Sequence, residues 1–323
     1  MISRPSTFIA AAFVVAIVLL GHLDIRAGLF NEQLLTPTRI QGKVFPKILT
    51  DPIGENFVLA KPPQRIVSVT LGTDEMLSAL VKTDRIVGVT HLVDDDGISN
   101  IPTWYPGSIT RIHGEVEEIL ALEPDLVFIA AYTRAETVRL LLGAGIPVVR
   151  LSRYSTFKDI ENNIQTVADV TGSEVKAREM ITGLKNRAQK ARNRVASLPR
   201  PRVLYYTLNG YTAGVGTRID EMIEIAGGDN VLRETGITGA HKISEEMAIG
   251  LEPDVILLSA SMPDDEVTPV EQLRSRPAWQ NVPAVVNKQV HHLQGAWVLS
   301  VSQFSWQGID KMAALLHPEV FTQ

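Results

Sequence analysis

The chain has 323 residues, 45% of them hydrophobic and 21% charged, an ordinary globular composition that leaves out disorder and fibrous repeats and is long enough for two domains. A formal charge of −5 gives no general attraction to nucleic acid or to an anionic membrane, each of which calls for a basic surface. Cysteine is absent, which removes disulfide scaffolds, thiolate zinc sites and cysteine nucleophiles together.

Arg4 precedes an uncharged run from Phe8 to Leu20. That run falls short of the roughly 20 residues of a spanning helix. With Ala27 behind it, residues 1–27 fit a secretory signal, and Ile25 at the −3 position leaves an uncleaved anchor as the alternative. No Cys follows the apolar run, so a lipid anchor is not expected. Residues 28–47 form a polar lead-in. ILTDPIGENFVLAKPP (48–63) then carries a hairpin signal, two short strands around Pro52–Gly54. From there apolar strands alternate with helical spacing. RIVSVT (65–70) precedes DEMLSALV (74–81), RIVGVT (85–90) precedes EEILALEP (117–124), and DLVFIAA (125–131) precedes AETVRLLLGAG (135–145) and IPVVRL (146–151). Such alternation predicts parallel strands with both faces covered. No strand signal interrupts 157–199. Ser173 is placed to cap one long helix from Glu174 to about Leu198, stopped by Pro199 and Pro201, with an apolar stripe of Val175, Ile181, Leu184, Ala188, Ala191 and Val195. The expected division is a first α/β lobe at 48–172, a linking helix at 173–198 and a second α/β lobe at 199–323.

The two halves echo each other. VEEILALEPDLVFIAA (116–131) and SEEMAIGLEPDVILLSA (244–260) share E-x4-L-E-P-D-[LV], and DEMLSAL (74–80) is echoed by DEMIEIA (220–226). Two echoes in the same order indicate a duplicated lobe, and a cleft between lobes is a preferred ligand site. The segments PQRIVSVTLGTDEMLSAL, DRIVGVT, EEILALEPDLVFIA, RPRVLYYTLNGYTAGVGTRIDEMIEIAGGDNVL and ISEEMAIGLEPDVILLS resemble the periplasmic substrate-binding proteins of ABC importers for ferric siderophores and cobalamin, from about Ile48 to Val320. The resemblance implies two doubly wound lobes, each with a mainly parallel central sheet, joined by one long helix. It also implies an acidic residue on top of each lobe that meets arginines of the permease; motif for motif these are Glu117 and Glu246. Adjacent Glu115, Glu118 and Glu245 share the neighbourhood, and acids in a first helical turn are favoured by the macrodipole in any case.

In doubly wound sheets ligands contact loops at the carboxyl ends of the strands. That nominates Leu71–Thr73, His91, Arg111–Gly114, Tyr132–Arg134 and Arg153–Tyr154 in the first lobe. In the second it nominates Asn209–Thr212 (including Tyr211), His241–Lys242, Ser259–Met262 and Gln294–Trp297. The resemblance puts Arg111, His113 and Trp297 at ligand-facing positions. Arg and Lys suit anionic oxygens of an iron chelate, and Tyr and Trp suit a flat macrocycle. His113 and His241 could ligate a metal from opposite lobes, whereas His291 and His292 alternate across a strand and cannot share one ion easily. The acids Asp94–Asp96 read as solvated. No G-x-S-x-G, G-x4-G-K-[ST] or H-E-x-x-H motif occurs, and the glycines at Gly214–Gly216 lack the rest of a dinucleotide fingerprint.

The sequence therefore predicts an exported, periplasmic, monomeric binding protein with no catalytic residue, no resident metal and no cofactor. It would carry an iron-siderophore or cobalamin-type chelate to an ABC permease dimer with its ATPase subunits. A bare-ion or haem binder is the alternative, and a cleft enzyme a more distant one.

Overall fold

The computed structural model describes residues 38–259 and 268–321. The predicted targeting segment, most of the lead-in and positions 260–262 of the Ser259–Met262 loop lie outside them. Three antiparallel strands come first, β1 (Arg39–Gln41), β2 (Lys47–Thr50) and β3 (Asn56–Leu59). The predicted hairpin joins β2 to β3. Its turn is closed by Asp51, whose Oδ1 accepts from the amides of Ile53 (2.9 Å) and Glu55 (2.8 Å). β1 falls within the stretch read as lead-in, because a three-residue Arg-Ile-Gln strand has no periodicity to read.

The first lobe holds β4 (Ile66–Ser68), α1 (Leu71–Leu80), β5 (Ile86–Thr90), β6 (Thr110–Ile112), α2 (Val116–Ala121), β7 (Leu126–Ala130), α3 (Ala135–Gly143) and β8 (Val148–Leu151). Its sheet is parallel throughout in the order β6-β5-β4-β7-β8. Successive side chains alternate faces. Ile66, Leu126 and Phe128 pack with Met76 and Leu77 of α1, while Val67, Val127 and Ile129 pack with Ile119 of α2 and Leu141 of α3.

The first lobe closes with α4 (Phe157–Thr171), and the expected linking helix is α5 (Glu174–Val195). The break is at Gly172, which adopts φ 75°, and a Cβ there would come within 3.2 Å of Phe45 and Pro62. Ser173 stands at the predicted cap position but does not cap with its side chain; its hydroxyl instead accepts from Thr171 Oγ1 at 3.1 Å. The helix ends three residues before Leu198, and Val175, read as part of its apolar stripe, is exposed. Buried Lys47 donates to the Asp169 carbonyl (2.6 Å) and pairs with Glu174, tying the N-terminal sheet to this junction.

The second lobe runs through β9 (Arg202–Tyr206), β10 (Tyr211–Ala213), α6 (Arg218–Ile225), β11 (Asp229–Asn230), β12 (Ala240–Lys242), α7 (Glu245–Gly250) and β13 (Val255–Ser259). It continues through α8 (Pro269–Ser275), α9 (Pro283–Val286), β14 (Val290–Leu293), α10 (Gly295–Val298), α11 (Ser305–Leu316) and α12 (Pro318–Phe321). Its strand order β12-β10-β9-β13-β14 mirrors the first lobe, with β11 added beside β9. One strand departs from the expected parallel sheet: β10 is antiparallel to both β9 and β12. Only Thr207–Gly210 separate β9 from β10, enough for a tight turn at Gly210 (φ 91°) but not for a crossover. The inner faces of both sheets, through Phe128 and Leu257, share one apolar cluster with α4, α5, α6 and α11.

Candidate functional site

The duplicated E-P-D segments are structural clasps. Glu123 and Glu252 both adopt φ 45°, the shared turn between helix and strand. Asp125 accepts from the amides of Gln64 (2.7 Å) and Arg65 (2.8 Å), and Asp254 accepts from the Arg202 amide (2.9 Å). The Arg65 guanidinium donates to the carbonyls of Leu122 (2.6 Å) and Glu123 (2.9 Å); Arg202 does the same to Leu251 (2.9 Å). Each clasp pins the C-terminus of α2 or α7 to the start of β4 or β9, so both helices present their first turns in equivalent settings.

Those first turns carry Glu117 and Glu246. Both are exposed, and neither makes a hydrogen bond or ion pair among the described residues. Two of their acidic neighbours are otherwise engaged. Glu118 accepts from the His113 amide at 2.7 Å, and that bond holds its carboxyl below the usual range. Glu245 accepts from Trp279 Nε1 (2.7 Å) and Arg276 (2.8 Å), with the same effect. Glu115 is matched in the second lobe by Ser244, which caps α7 through Met247. One unengaged carboxylate per lobe stands at matched positions.

The lobes meet through the second echo. In the first lobe Glu75 accepts from Ser300 (2.8 Å) and Ser302 (2.5 Å) on one oxygen and from the Asn100 amide (2.9 Å) and Nδ2 (2.8 Å) on the other. Burial pushes its carboxyl up despite these bonds. In the second lobe Glu221, its echo, accepts from the Phe157 amide at 3.1 Å. Asn100 also donates to the Ala296 carbonyl at 2.8 Å, and the rings of Phe157 and Trp306 lie 4.4 Å apart.

Around this junction stand Tyr132, Tyr154, Arg150 and Arg218. Tyr132 keeps 41% of its surface accessible, yet surrounding protein and then the Asp74 carboxylate push its phenol well above the ordinary range. Tyr154 donates to the Leu151 carbonyl at 2.8 Å, and burial, then Tyr132, raises it further. Arg150 is 7% exposed and donates through Nη2 to the Ala131 carbonyl (2.9 Å). Arg218, 2% exposed, crosses to the Tyr154 carbonyl of the first lobe (3.1 Å) and donates to the Val298 carbonyl of its own (2.7 Å). Burial lowers both guanidinium groups, that of Arg218 to about 10.

Other predicted site residues fall as follows. Arg111 has no free donor, because its N–H groups go to Asp94 (2.8 and 2.9 Å) and to the carbonyls of Tyr105 (3.0 Å), Pro106 (3.4 Å) and Ile109 (2.9 Å). It braces the loop before β6, and Asp94, exposed as expected, is its ion-pair partner. His113 is exposed and stacks on His91, ring centroids 4.5 Å apart. His241 is exposed on β12, beside Lys242, which lies opposite Tyr211 across the ladder. Arg153 is exposed, and the half-buried Trp297 ring carries Lys311 Nζ at 4.9 Å from its centroid. Among the described residues no three His, Asp or Glu side chains gather as a metal site, so His113 and His241 do not complete one. Sequence reasoning missed Arg150, Arg218, Asp74 and Glu75. The readable signal for Arg150 was a charge inside the apolar strand Val-Val-Arg-Leu; the repeated Asp-Glu pair was read only as helix.

A model of the periplasmic binding protein family matches residues 66–296, well over half of the chain. The chain belongs to the periplasmic binding protein family. Over 97% of its length this periplasmic binding protein is 22% identical to 98% of an uncharacterized ABC transporter substrate-binding lipoprotein, YvrC, of Bacillus subtilis. It is 28% identical to a cobalamin-binding protein of Halobacterium salinarum, over 67% of this chain and 59% of that one. Its fold matches the crystal structure of a possible iron-binding periplasmic solute-binding protein from Staphylococcus epidermidis. That match has a TM-score of 0.70, 19% identity, and covers 80% of this chain and 100% of that one. The family and the two-lobed α/β architecture are those the sequence predicts. No helix of the described residues is long and apolar enough to cross a membrane.

Proposed function

We propose that this periplasmic binding protein works outside the cytoplasmic membrane, as a monomer. It captures an iron-siderophore or corrinoid chelate between its lobes and hands it, unreacted, to an ABC import permease with its ATPase subunits. The observation that carries the delivery step is the matched pair Glu117 and Glu246, left unengaged while Glu118 and Glu245 beside them are consumed. Two such carboxylates on rigid lobes suit bidentate pairing with arginines of a partner, which sets orientation and speeds encounter. The names borne by the Bacillus and Halobacterium relatives support the transport role and the corrinoid option. Tyr132, Tyr154 and Arg153 from the first lobe, with Tyr211, Lys242, His241 and Trp297 from the second, are the contacts we assign to the ligand. His113 sits at the rim beside Glu118.

The delivery step is tested by the double variant Glu117→Ala, Glu246→Ala. Its ligand affinity by fluorescence titration should match the wild type while uptake through the cognate importer falls to background. Uptake that survives the double variant, or affinity that falls with it, removes the docking assignment.

A further inference from the structure

The net charge of −5 is unevenly spread, since α5 alone carries seven bases and two acids. The first turns of α5 adjoin the N-terminal sheet. A Cβ on Gly172 would come within 3.2 Å of both Phe45 and Pro62, and Arg85 donates to the carbonyls of Pro63 (2.7 Å) and Thr171 (3.0 Å). Lys176 reaches the Leu80 carbonyl at the end of α1 (3.4 Å). These contacts gather five exposed bases at one corner: Lys43, Lys61, Lys82, Lys176 and Arg178. None of the five forms an ion pair among the described residues. Of the acids nearby, Glu174 is taken by Lys47 and Asp169 accepts from Gln165 (2.7 Å), which leaves Asp84 and Glu179 exposed. Lys176 stands in the first turn of α5, where the macrodipole disfavours a cation, so helix stability does not account for it. The same corner exposes apolar side chains. Val44, next to Phe45, keeps 76% of its surface accessible, and Val175, a turn beyond Gly172, keeps 60%. On the outward face of the sheet Ile48 and Val58 oppose each other across the ladder, both exposed, where a solvated sheet face is ordinarily polar.

We propose that this corner rests on an anionic lipid surface, with the N-terminal apolar run retained as the anchor that holds it there. Alkyl groups enter the headgroup layer while ammonium and guanidinium groups meet lipid phosphates. A polyanion in solution would match the cations and leave the valines exposed. The chain before the described residues leads to the same partner: the uncharged run Phe8–Leu20 ends 19 residues before Arg39, a tether of at most about 65 Å. This rests on the location outside the cytoplasmic membrane proposed above and adds an orientation to it. Pro63 and Arg85 lie just before the amino ends of β4 and β5, whereas α2, with Glu117, starts beyond the carboxyl end of β6 in the same parallel sheet. The corner and the docking acid of the first lobe are therefore at opposite ends of that sheet. The lipid-bound state holds Glu117 clear of the bilayer and is a waiting state, distinct from the docked one.

The test places the full chain in vesicles of phosphatidylcholine, alone or mixed with phosphatidylglycerol. The chain has no cysteine, so Val44→Cys, Val175→Cys and Glu117→Cys each take a single fluorophore. Nitroxide-bearing lipids should quench the labels at 44 and 175 at least twofold in the anionic vesicles and leave the label at 117 unchanged. High salt should abolish that difference, because it screens the exposed cations. Lys43→Gln, Lys61→Gln, Lys176→Gln and Arg178→Gln combined should abolish it too, while the chain still floats with the vesicles on its anchor. Equal quenching at all three sites means a chain tumbling on its tether and overturns the inference. Quenching at 44 and 175 that is indifferent to phosphatidylglycerol and to salt overturns it as well. Labels at 44 and 175 that stay bright on a floating chain overturn it and leave the location standing; a chain that floats with neither vesicle removes the anchor and the inference with it. The location is read separately, by protease access to the chain in spheroplasts: protection there fails the location, whatever the vesicles show.

Discussion

Asp74 and Asp220 hold the same place in the two repeated Asp-Glu-Met segments and meet opposite surroundings. Asp220 is buried beneath Arg233, which donates to it at 2.9 and 3.2 Å, with Asn230 adding a bond at 2.9 Å. Asp74 is equally buried but has no cation: one oxygen accepts from Thr90 and the other has no partner. Burial therefore drives its carboxyl from 3.8 to about 8, against the pull of its hydrogen bonds. Between those values the folded protein keeps a proton that the unfolded chain has lost. Stability accordingly falls as pH rises from about 4 to about 8, by at most about 1.4 kcal/mol per pH unit from this group, and levels off above. Glu75, also raised by burial, adds to the same slope. Asp74→Asn keeps an acceptor for Thr90 and cannot ionise, so its urea midpoints at pH 5, 6.5 and 8 should fall less steeply than those of the wild type. An unchanged slope would place the pH dependence elsewhere.

The clasps around the Glu-Pro-Asp segments set where α2 and α7 begin, and through them where Glu117 and Glu246 point. Their bonds join residues 49 to 61 positions apart. Removing Asp125 frees two amides at the start of β4, and removing Asp254 frees one at the start of β9. Asp125→Ala and Asp254→Ala should each lower unfolding free energy by about 1–3 kcal/mol. The double variant should show the sum, because the sites lie in different lobes. Denaturant unfolding checks both figures; a double variant well short of the sum would mean that the clasps communicate. The segment that carries this duplication was legible as a repeated motif. Its work was not, because Arg65 and Arg202 lie far upstream of it. The antiparallel β10 was likewise overlooked, although Leu-Asn-Gly-Tyr at 208–211 is a turn signal, because the surrounding strand-helix alternation argues for a crossover.

At the scale of the molecule, the lobes are fastened by reciprocal contacts. Glu75 reaches to Ser300 and Ser302, and Glu221 reaches back to Phe157. Arg218 spans to Tyr154, and a single apolar cluster runs through both inner sheet faces. Rotating one lobe away would strip the Glu75 carboxylate of two of its four donors in a buried setting. Ligand binding should therefore shift backbone positions by no more than about 1 Å, the range of pre-organised complexes. Small-angle scattering with and without a saturating chelate should give superimposable curves; a clear contraction would mean that the fastening opens in solution.

The sequence by itself determined the α/β alternation, the duplication, the central helical region and the family, because periodicity and repeated motifs are properties of neighbouring residues. It also narrowed the docking acids to five. Only the tertiary structure decided which charges are unengaged. Glu117 and Glu246 stand apart from Glu118 and Glu245, Arg111 is saturated by its own loop, and Arg150 and Arg218 keep an empty donor each. The reason is that a polar group's availability depends on whether its hydrogen-bonding capacity is filled. The groups that fill it can lie as far away in the chain as Ser302 from Glu75, 227 positions.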